Sequence, residues 1–144
     1  EGDAEIGIDV CAVGEAVLRT PLTNKGTAFA ATERADLDIA GLLPPRIESL
    51  DEQVGRVYAL YACEPTALGK HRFLRRVQDT NEVLFYALLD RHLREMLPIV
   101  YTPTVGQACL EWSHVFRQQP RGLYISLKDA GKVEINRGRK PRSR

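Results

Sequence analysis

Apolar residues recur at helical spacing through most of the chain. One face carries four of them, at intervals of four, three and four residues: Leu50, Val54, Val57 and Tyr61. This spacing is that of one side of an α-helix. Ser49 and Glu52 form a capping-box sequence, in which the serine hydroxyl accepts the third helical N–H and the glutamate reaches back to the serine. The pattern predicts a helix that begins after Ser49 and ends by Pro65.

Three more helices are predicted around this one. A short helix is expected over residues 32–37 with Thr32 as its N-cap, and longer helices over residues 67–77 and 81–96. The last of these is expected to stop before Pro98, because proline lacks a backbone N–H and clashes with the preceding turn.

The segment after Tyr101 predicts another helix. Thr102 is a favoured N-cap residue, and Pro103 suits the first helical position because its missing N–H would have no partner there. Four apolar residues follow at intervals of four, three and four and are expected to be buried: Val105, Cys109, Trp112 and Phe116. Tyr101 would then lie immediately before a helix N-terminus, where the macrodipole is positive.

Beyond Pro120 the hydrophobic period changes to two. Leu123, Ile125 and Leu127 alternate with polar or amphipathic residues, which predicts a strand, and residues 129–131 are typical of a turn. Residues 133–135 would begin a return strand, and the basic tail after it is expected to be disordered. The predicted fold class is therefore mainly α, with one or two β-strands near the C-terminus.

Charge is distributed unevenly along the chain. The 144 residues carry a formal net charge of +1, but five of the basic residues lie in the last eight positions. Residues 1–136 hold 15 basic and 19 acidic residues, a net charge of −4. We therefore predict no nucleic-acid partner for the body of the chain. The tail alone could contact nucleic acid or anionic lipid, although a solvated, unstructured end is favoured.

The residues typical of cofactor and metal sites are absent or scattered. The three cysteines include no CxxC pair, so free thiols in a reducing compartment are expected. No histidine stands at ligand spacing from another histidine or a cysteine, and no carboxylate cluster suits a divalent cation. There is no GxGxxG turn or P-loop, and no apolar run approaches the roughly 20 residues of a membrane span. We predict that this chain itself binds no cofactor or metal and has no membrane partner.

Tyr101 is the candidate catalytic residue. A phenol has an ordinary pKa of about 10, and a helix N-terminus stabilises the phenolate, which suits a general acid. From the pattern alone, a packed or surface tyrosine with a satisfied hydroxyl is the more common interpretation. His92 and His114 are interpreted as packed or solvated residues of their helices, and Cys109 as a small core residue rather than a nucleophile.

Five sequence blocks resemble the N-terminal domain of malic enzymes. They follow in the family's order and spacing across roughly residues 16–128: NKGTAF (24–29), GLLPPRIE (41–48), NEVLFY (81–86), LPIVYTPTVG (97–106) and RGLYIS (121–126). The resemblance implies three segments: a weakly ordered one over residues 1–15, part of the malic enzyme N-terminal domain over 16–128, and a turn with a basic tail over 129–144. It also identifies the helices as the helical N-terminal part of an α/β domain.

The resemblance implies an activity as well as a fold. Malic enzymes oxidise malate with NAD or NADP and decarboxylate it to pyruvate, using Mg²⁺ or Mn²⁺. The tyrosine that matches Tyr101 is taken as the general acid that protonates the enolpyruvate carbon. The family also implies a homodimer formed through helical surfaces, in the cytoplasm or, alternatively, the mitochondrial matrix.

The chain departs from the family in two respects. The family's catalytic lysine, metal-binding carboxylates, malate-binding arginine and nucleotide fold lie beyond its end, and the resemblance stops near Lys132. The chain also begins without methionine, so we expect a fragment, a frameshift product or an engineered chain that is inactive alone. The alternative is a non-catalytic helical dimerisation module.

A regulatory site of some animal members is matched only in part. In those members a glutamate and two arginines bind an activating dicarboxylate at the dimer interface. Glu48 and Arg56 match two of these positions, whereas Thr80 stands where the second arginine would be.

Overall fold

A computed structural model describes residues 11–115 and 126–130 of the chain. Seven α-helices lie in this part, and two short 3₁₀ helices cover Gly26–Ala28 and Leu127–Asp129. The α-helices are α1 (Glu15–Arg19), α2 (Ala31–Asp36), α3 (Leu50–Ala62), α4 (Ala67–Thr80), α5 (Glu82–Val100), α6 (Thr104–Leu110) and α7 (Trp112–Val115). No β-strand occurs among the residues described, so the prediction of a mainly α chain is confirmed.

The predicted C-terminal strands fall mostly outside the described residues. Leu123, Ile125 and residues 133–135 are not described. Leu127 is described, and it begins a 3₁₀ helix closed by a hydrogen bond from the Ala130 N–H to the Leu127 carbonyl, with an N···O distance of 3.3 Å. At Leu127 the alternating pattern therefore gave the wrong conformation, because a local turn satisfies its backbone.

The core lies where α3, α4 and α5 pack together. Each helix contributes residues from one apolar face, and eight buried side chains form a single cluster: Val54, Val57, Tyr61, Leu74, Leu84, Phe85, Leu88 and Met96. Burying these side chains removes a large apolar area from water, which is the main favourable term in folding.

Side chains cap the N-termini of all three core helices. The Ser49 hydroxyl accepts the Glu52 N–H at 3.2 Å and the Glu52 carboxylate accepts the Ser49 N–H at 2.8 Å, so the predicted capping box is confirmed. Thr66 caps α4 by accepting the Gly69 N–H, and Asn81 caps α5 by accepting the Leu84 N–H.

Helix α5 continues through Pro98 to Val100, so the predicted stop before the proline is wrong. The helix is broken at His92, whose φ of −123° and ψ of 27° are not helical. At this break the His92 ring stacks on Tyr58, with ring centroids 3.8 Å apart. Pro98 thus lies in a second helical segment that starts after His92, and the Tyr101 N–H still reaches the Leu97 carbonyl.

Two predicted helix starts are also displaced. The N-cap of α2 is Ala30 rather than Thr32, and the Glu33 carboxylate accepts the Ala30 N–H at 2.9 Å. The N-cap of α6 is Pro103 rather than Thr102, and no side chain caps this helix.

The buried face of α6 differs from the predicted one. Thr104 and Ala108 are buried, whereas Cys109 is exposed and Trp112 keeps 45% of its surface. The predicted buried stripe is therefore wrong at Cys109 and Trp112, and Phe116 lies outside the described residues.

A second, smaller core holds the segment before α3. Val17, Phe29 and Ile39 are buried together, and Arg34 is buried beside them with 7% of its surface exposed. The Arg34 guanidinium donates four hydrogen bonds to backbone carbonyls, those of Phe29, Pro44, Thr27 and Arg46, at 2.6 to 3.2 Å. One buried side chain thus joins two loops that are separated by α2.

We expect Arg34→Met to lower the free energy of unfolding by about 2–4 kcal/mol, because four carbonyls would each lose a hydrogen bond, although the Thr27 carbonyl keeps the Glu48 N–H. Urea unfolding followed by circular dichroism measures the change. Arg19→Met is the matched control, since Arg19 forms an exposed pair with Glu15 and its loss should cost less than about 0.5 kcal/mol. Equal effects of the two substitutions would contradict the anchoring role of Arg34.

Candidate functional site

Tyr101 lies at the junction of α5 and α6. It is the C-cap of α5, and its backbone is bonded on both sides: its N–H donates to the Leu97 carbonyl at 2.9 Å, and its carbonyl accepts the Val105 N–H at 2.8 Å. Its side chain is 67% exposed. The arrangement is a fixed backbone that presents an accessible phenol, so Tyr101 is not a packed core residue, whereas the interpretation as a surface tyrosine agrees with its exposure.

The other described tyrosines are less suited to proton donation. Tyr61 is fully buried, and burial together with the nearby Glu95 carboxylate raises its pKa to about 12. The Tyr58 hydroxyl donates to Glu95 at 2.9 Å, which raises the Tyr58 pKa because the bond stabilises the protonated form. Tyr86 is exposed but lies within α5, in its second turn, and not at a helix junction. Tyr101 alone of these four combines exposure with a position at a helix junction.

His71 contacts the end of α5 and was not singled out from the sequence. It lies on the buried face of α4, and its Nδ1 is 2.8 Å from the Ile99 carbonyl oxygen, two residues before Tyr101. The signal was present in the sequence, because His71 stands at helical spacing from Leu68 and Leu74, which are both buried.

The structure brings Glu48 and Arg56 together. An Arg56 Nη2 donates to Glu48 Oε2 at 2.9 Å, and the same oxygen accepts the Thr27 hydroxyl at 2.6 Å. These bonds hold the Glu48 pKa below its ordinary value, with the Thr27 hydroxyl as the largest cause and Arg56 as the next. The partnership with Thr27 was missed from the sequence, because it joins residues 21 positions apart.

Thr80 supplies no positive charge near this pair. Its hydroxyl donates to the carbonyls of Arg76 and Val77 in the last turn of α4, and its own carbonyl accepts the Asn24 side chain at 2.9 Å. Tyr101 hydrogen-bonds to neither Glu48 nor Arg56 among the described residues. The candidate acid and the candidate regulatory pair therefore belong to separate hydrogen-bond networks.

The described residues offer no site for a divalent cation. No group of three or more histidine, cysteine, aspartate or glutamate side chains lies close enough to hold one in residues 11–115 and 126–130. Cys11, Cys63 and Cys109 are free and exposed. Within the same part of the chain, no helix has the length and apolar character needed to cross a bilayer.

The chain is similar to malic enzymes. Residues 78–139 match the family model described as "Malic enzyme, N-terminal domain". The "NAD-dependent malic enzyme 2" of Vibrio vulnificus is 47% identical over 121 residues, which cover 84% of this chain and 22% of that relative. The NAD-dependent malic enzymes of Aeromonas hydrophila and Pseudomonas aeruginosa are each 50% identical over 121 residues, covering 84% of this chain and 21% of each relative.

The resemblance read from the sequence motifs is thereby confirmed. The chain spans about a fifth of the length of the curated relatives that it matches.

We expect Thr27→Val to raise the pKa of Glu48 towards its ordinary value, and Arg56→Gln to raise it by less, in the order of their contributions. Titration of the carboxyl carbons by NMR measures both shifts. Glu52 is the internal control, because its lowered pKa comes from Ser49 and Arg46 instead.

The same pair contributes to stability in a defined pH window. Because the pKa of Glu48 is lower in the folded chain than in the unfolded chain, its contribution is present above the unfolded pKa and is lost as pH falls through the folded pKa. An unchanged Glu48 pKa in Thr27→Val would contradict the assigned cause.

Proposed function

We propose, from the premise that this chain carries malic enzyme N-terminal domain sequence, that it supplies the general acid of an NAD-dependent, malate-decarboxylating enzyme. Tyr101 is the acid, and the product it completes is pyruvate. The observation that carries the proposal is that Tyr101, within the LPIVYTPTVG motif, presents an exposed phenol from a backbone fixed by two helices.

The proposed step is a tautomerisation that involves two proton transfers. The Tyr101 hydroxyl donates its proton to the methylene carbon of enolpyruvate while the enol hydroxyl loses its proton to a base, and the keto acid pyruvate results. A positioned general acid contributes about 10²- to 10⁴-fold to such a step. The transfer requires that the phenol reach the substrate, which its exposure in this chain allows.

The remaining chemistry belongs to residues outside the described part. Since the relatives are named NAD-dependent malic enzymes, we propose that NAD would supply the hydride acceptor, and the family resemblance implies Mg²⁺ or Mn²⁺. The described side chains do not form a set of ligands for such a cation. We infer that this chain needs the family's lysine, metal ligands and nucleotide-binding residues to complete a turnover.

We propose a reducing compartment, the cytoplasm or the mitochondrial matrix, as the site of action. Three thiols that are free and exposed would be oxidised in a secretory environment.

We propose that a dicarboxylate activator binds weakly to this chain. Arg56 is already paired with Glu48, and Thr80 offers a hydroxyl that is used within its own helix. A dianion would therefore meet one partly neutralised guanidinium where the animal members have two arginines.

A second candidate function is self-association through α5. Four exposed apolar residues lie along one side of this helix, with between 46% and 58% of their surfaces accessible: Val83, Tyr86, Leu93 and Leu97. An exposed apolar stripe of this kind favours a protein contact. A homodimer formed on this face is compatible with the catalytic proposal.

Tyr101→Phe should lower kcat about 100-fold or more in an enzyme where this chain replaces the matching 121 residues of the Aeromonas hydrophila relative. NADH formation from malate measures kcat. Tyr58→Phe is the matched control, because it removes a tyrosine hydroxyl that contacts Glu95 and should leave kcat unchanged.

Two outcomes would contradict this proposal. One is an unchanged kcat in Tyr101→Phe. The other is malate-dependent NADH formation by the isolated 144-residue chain with Mn²⁺, which would show that it needs no further residues.

Leu93→Glu should shift the isolated chain towards monomer, because it places a charge on the proposed contact face. Light scattering over a range of concentrations measures the mass. Leu60→Glu, at an equally exposed leucine on α3, is the control and should leave the mass unchanged. A chain that is monomeric at every concentration before substitution would contradict the association.

A further inference from the structure

The end of α5 is held by a side chain from another helix. His71 on α4 has 7% of its surface exposed, and its Nδ1 is 2.8 Å from the carbonyl oxygen of Ile99. A carbonyl oxygen only accepts hydrogen bonds, so Nδ1 must carry the hydrogen and donate it. The imidazole tautomer is thus fixed by the backbone that it contacts.

The acceptor is one of the carbonyls that a helix cannot satisfy by itself. The last four carbonyls of an α-helix have no N–H four residues ahead, and a histidine near the end is one of the side chains that can supply a donor. Ile99 belongs to this set in α5, which ends at Val100. The bond therefore pins the last turn of α5 to α4.

This turn leads directly into Tyr101. The Tyr101 N–H is bonded to the Leu97 carbonyl and its carbonyl to the Val105 N–H, so its backbone depends on the last turn of α5 and the first turn of α6. His71 adds a third bond, from α4, two residues before the phenol. Three helices then converge on the segment that sets the direction of the Tyr101 side chain.

We propose that His71 is a positioning residue for Tyr101, acting through the Ile99 carbonyl. The proposal rests on the proposed general-acid role of Tyr101. His71 does not touch substrate; it keeps the α5–α6 junction in the one orientation from which the phenol reaches the reacting carbon. A misplacement of about 1 Å in a catalytic group can cost about 100-fold in rate, so a bond at this position has a measurable effect.

The first test uses the isolated chain and amide hydrogen exchange. In His71→Ala the amides of Tyr101 and Val105 should exchange about five- to tenfold faster, relative to the amide of Val57 in α3, which reports global opening. His71→Asn keeps a donor near the position of Nδ1 and should restore exchange to within about twofold of the original chain.

His92→Ala is the matched control for this experiment. It removes a ring that stacks on Tyr58 elsewhere on α5, so it should leave the relative exchange at Tyr101 unchanged. Equal acceleration at Tyr101 and Val57 in His71→Ala would show that the histidine merely stabilises the fold, and would overturn the proposal.

The second test is a double-mutant cycle in the enzyme joined to the Aeromonas hydrophila relative. His71→Ala should lower kcat about tenfold with little change in KM for malate, and His71→Asn should recover most of the loss. In the Tyr101→Phe background, His71→Ala should lower kcat no further, because the hydroxyl that it positions is gone.

The outcomes separate the two proposals. A loss in Tyr101→Phe together with an equal, additive loss from His71→Ala would overturn the positioning role and leave the general acid in place. An unchanged kcat in Tyr101→Phe would overturn the general acid, and the positioning role would fall with it.

Discussion

Asn81 is the residue on which the arrangement of the core helices depends. Its N–H donates to the Val77 carbonyl at 2.8 Å and ends α4, while its side chain accepts the Leu84 N–H at 2.9 Å and begins α5. Two helices that meet at a single buried residue have little freedom in their crossing. The direction of α5 then decides which of its faces enters the core and where its far end, with Tyr101, must lie.

Arg34 imposes a comparable constraint on the segment before α3, through a different kind of interaction. A buried guanidinium is costly unless its donors are satisfied, and here carbonyls rather than a carboxylate satisfy them. Two of these acceptors are the carbonyls of Thr27, whose hydroxyl bonds Glu48, and of Arg46, which lies two residues before Glu48. Arg34 therefore helps to position the Glu48–Arg56 pair, although it lies outside the two sequence blocks, residues 24–29 and 41–48, that contain Thr27 and Glu48.

Local sequence chemistry predicted one cap and one buried face correctly, but it placed two other helix starts wrongly, at Thr32 and Thr102. The capping box at Ser49 and the apolar face from Leu50 to Tyr61 depend on residues within a few positions, so periodicity and cap chemistry found them. Helix α5 continues past Pro98 and is broken at His92, where the ring stacks on Tyr58, and local sequence rules predict neither feature. Likewise, packing of α6 against α4 and α5 buries Thr104 and Ala108 and leaves Cys109 exposed, and Trp112 begins a separate helix.

Helix α5 has one face in the core and one face open to solvent. The core contacts alone therefore do not explain how the proposed catalytic residue at its end would be enclosed. One side of α5 closes the core through Leu84, Leu88 and Met96. The exposed apolar residues on the opposite side of α5 are not part of this core. Tyr101 continues from the end of this helix and is as open as they are. A phenol that must donate a proton selectively requires a site from which water is excluded. For the proposed general acid, Tyr101, such enclosure would have to come from groups that cover this open face of α5.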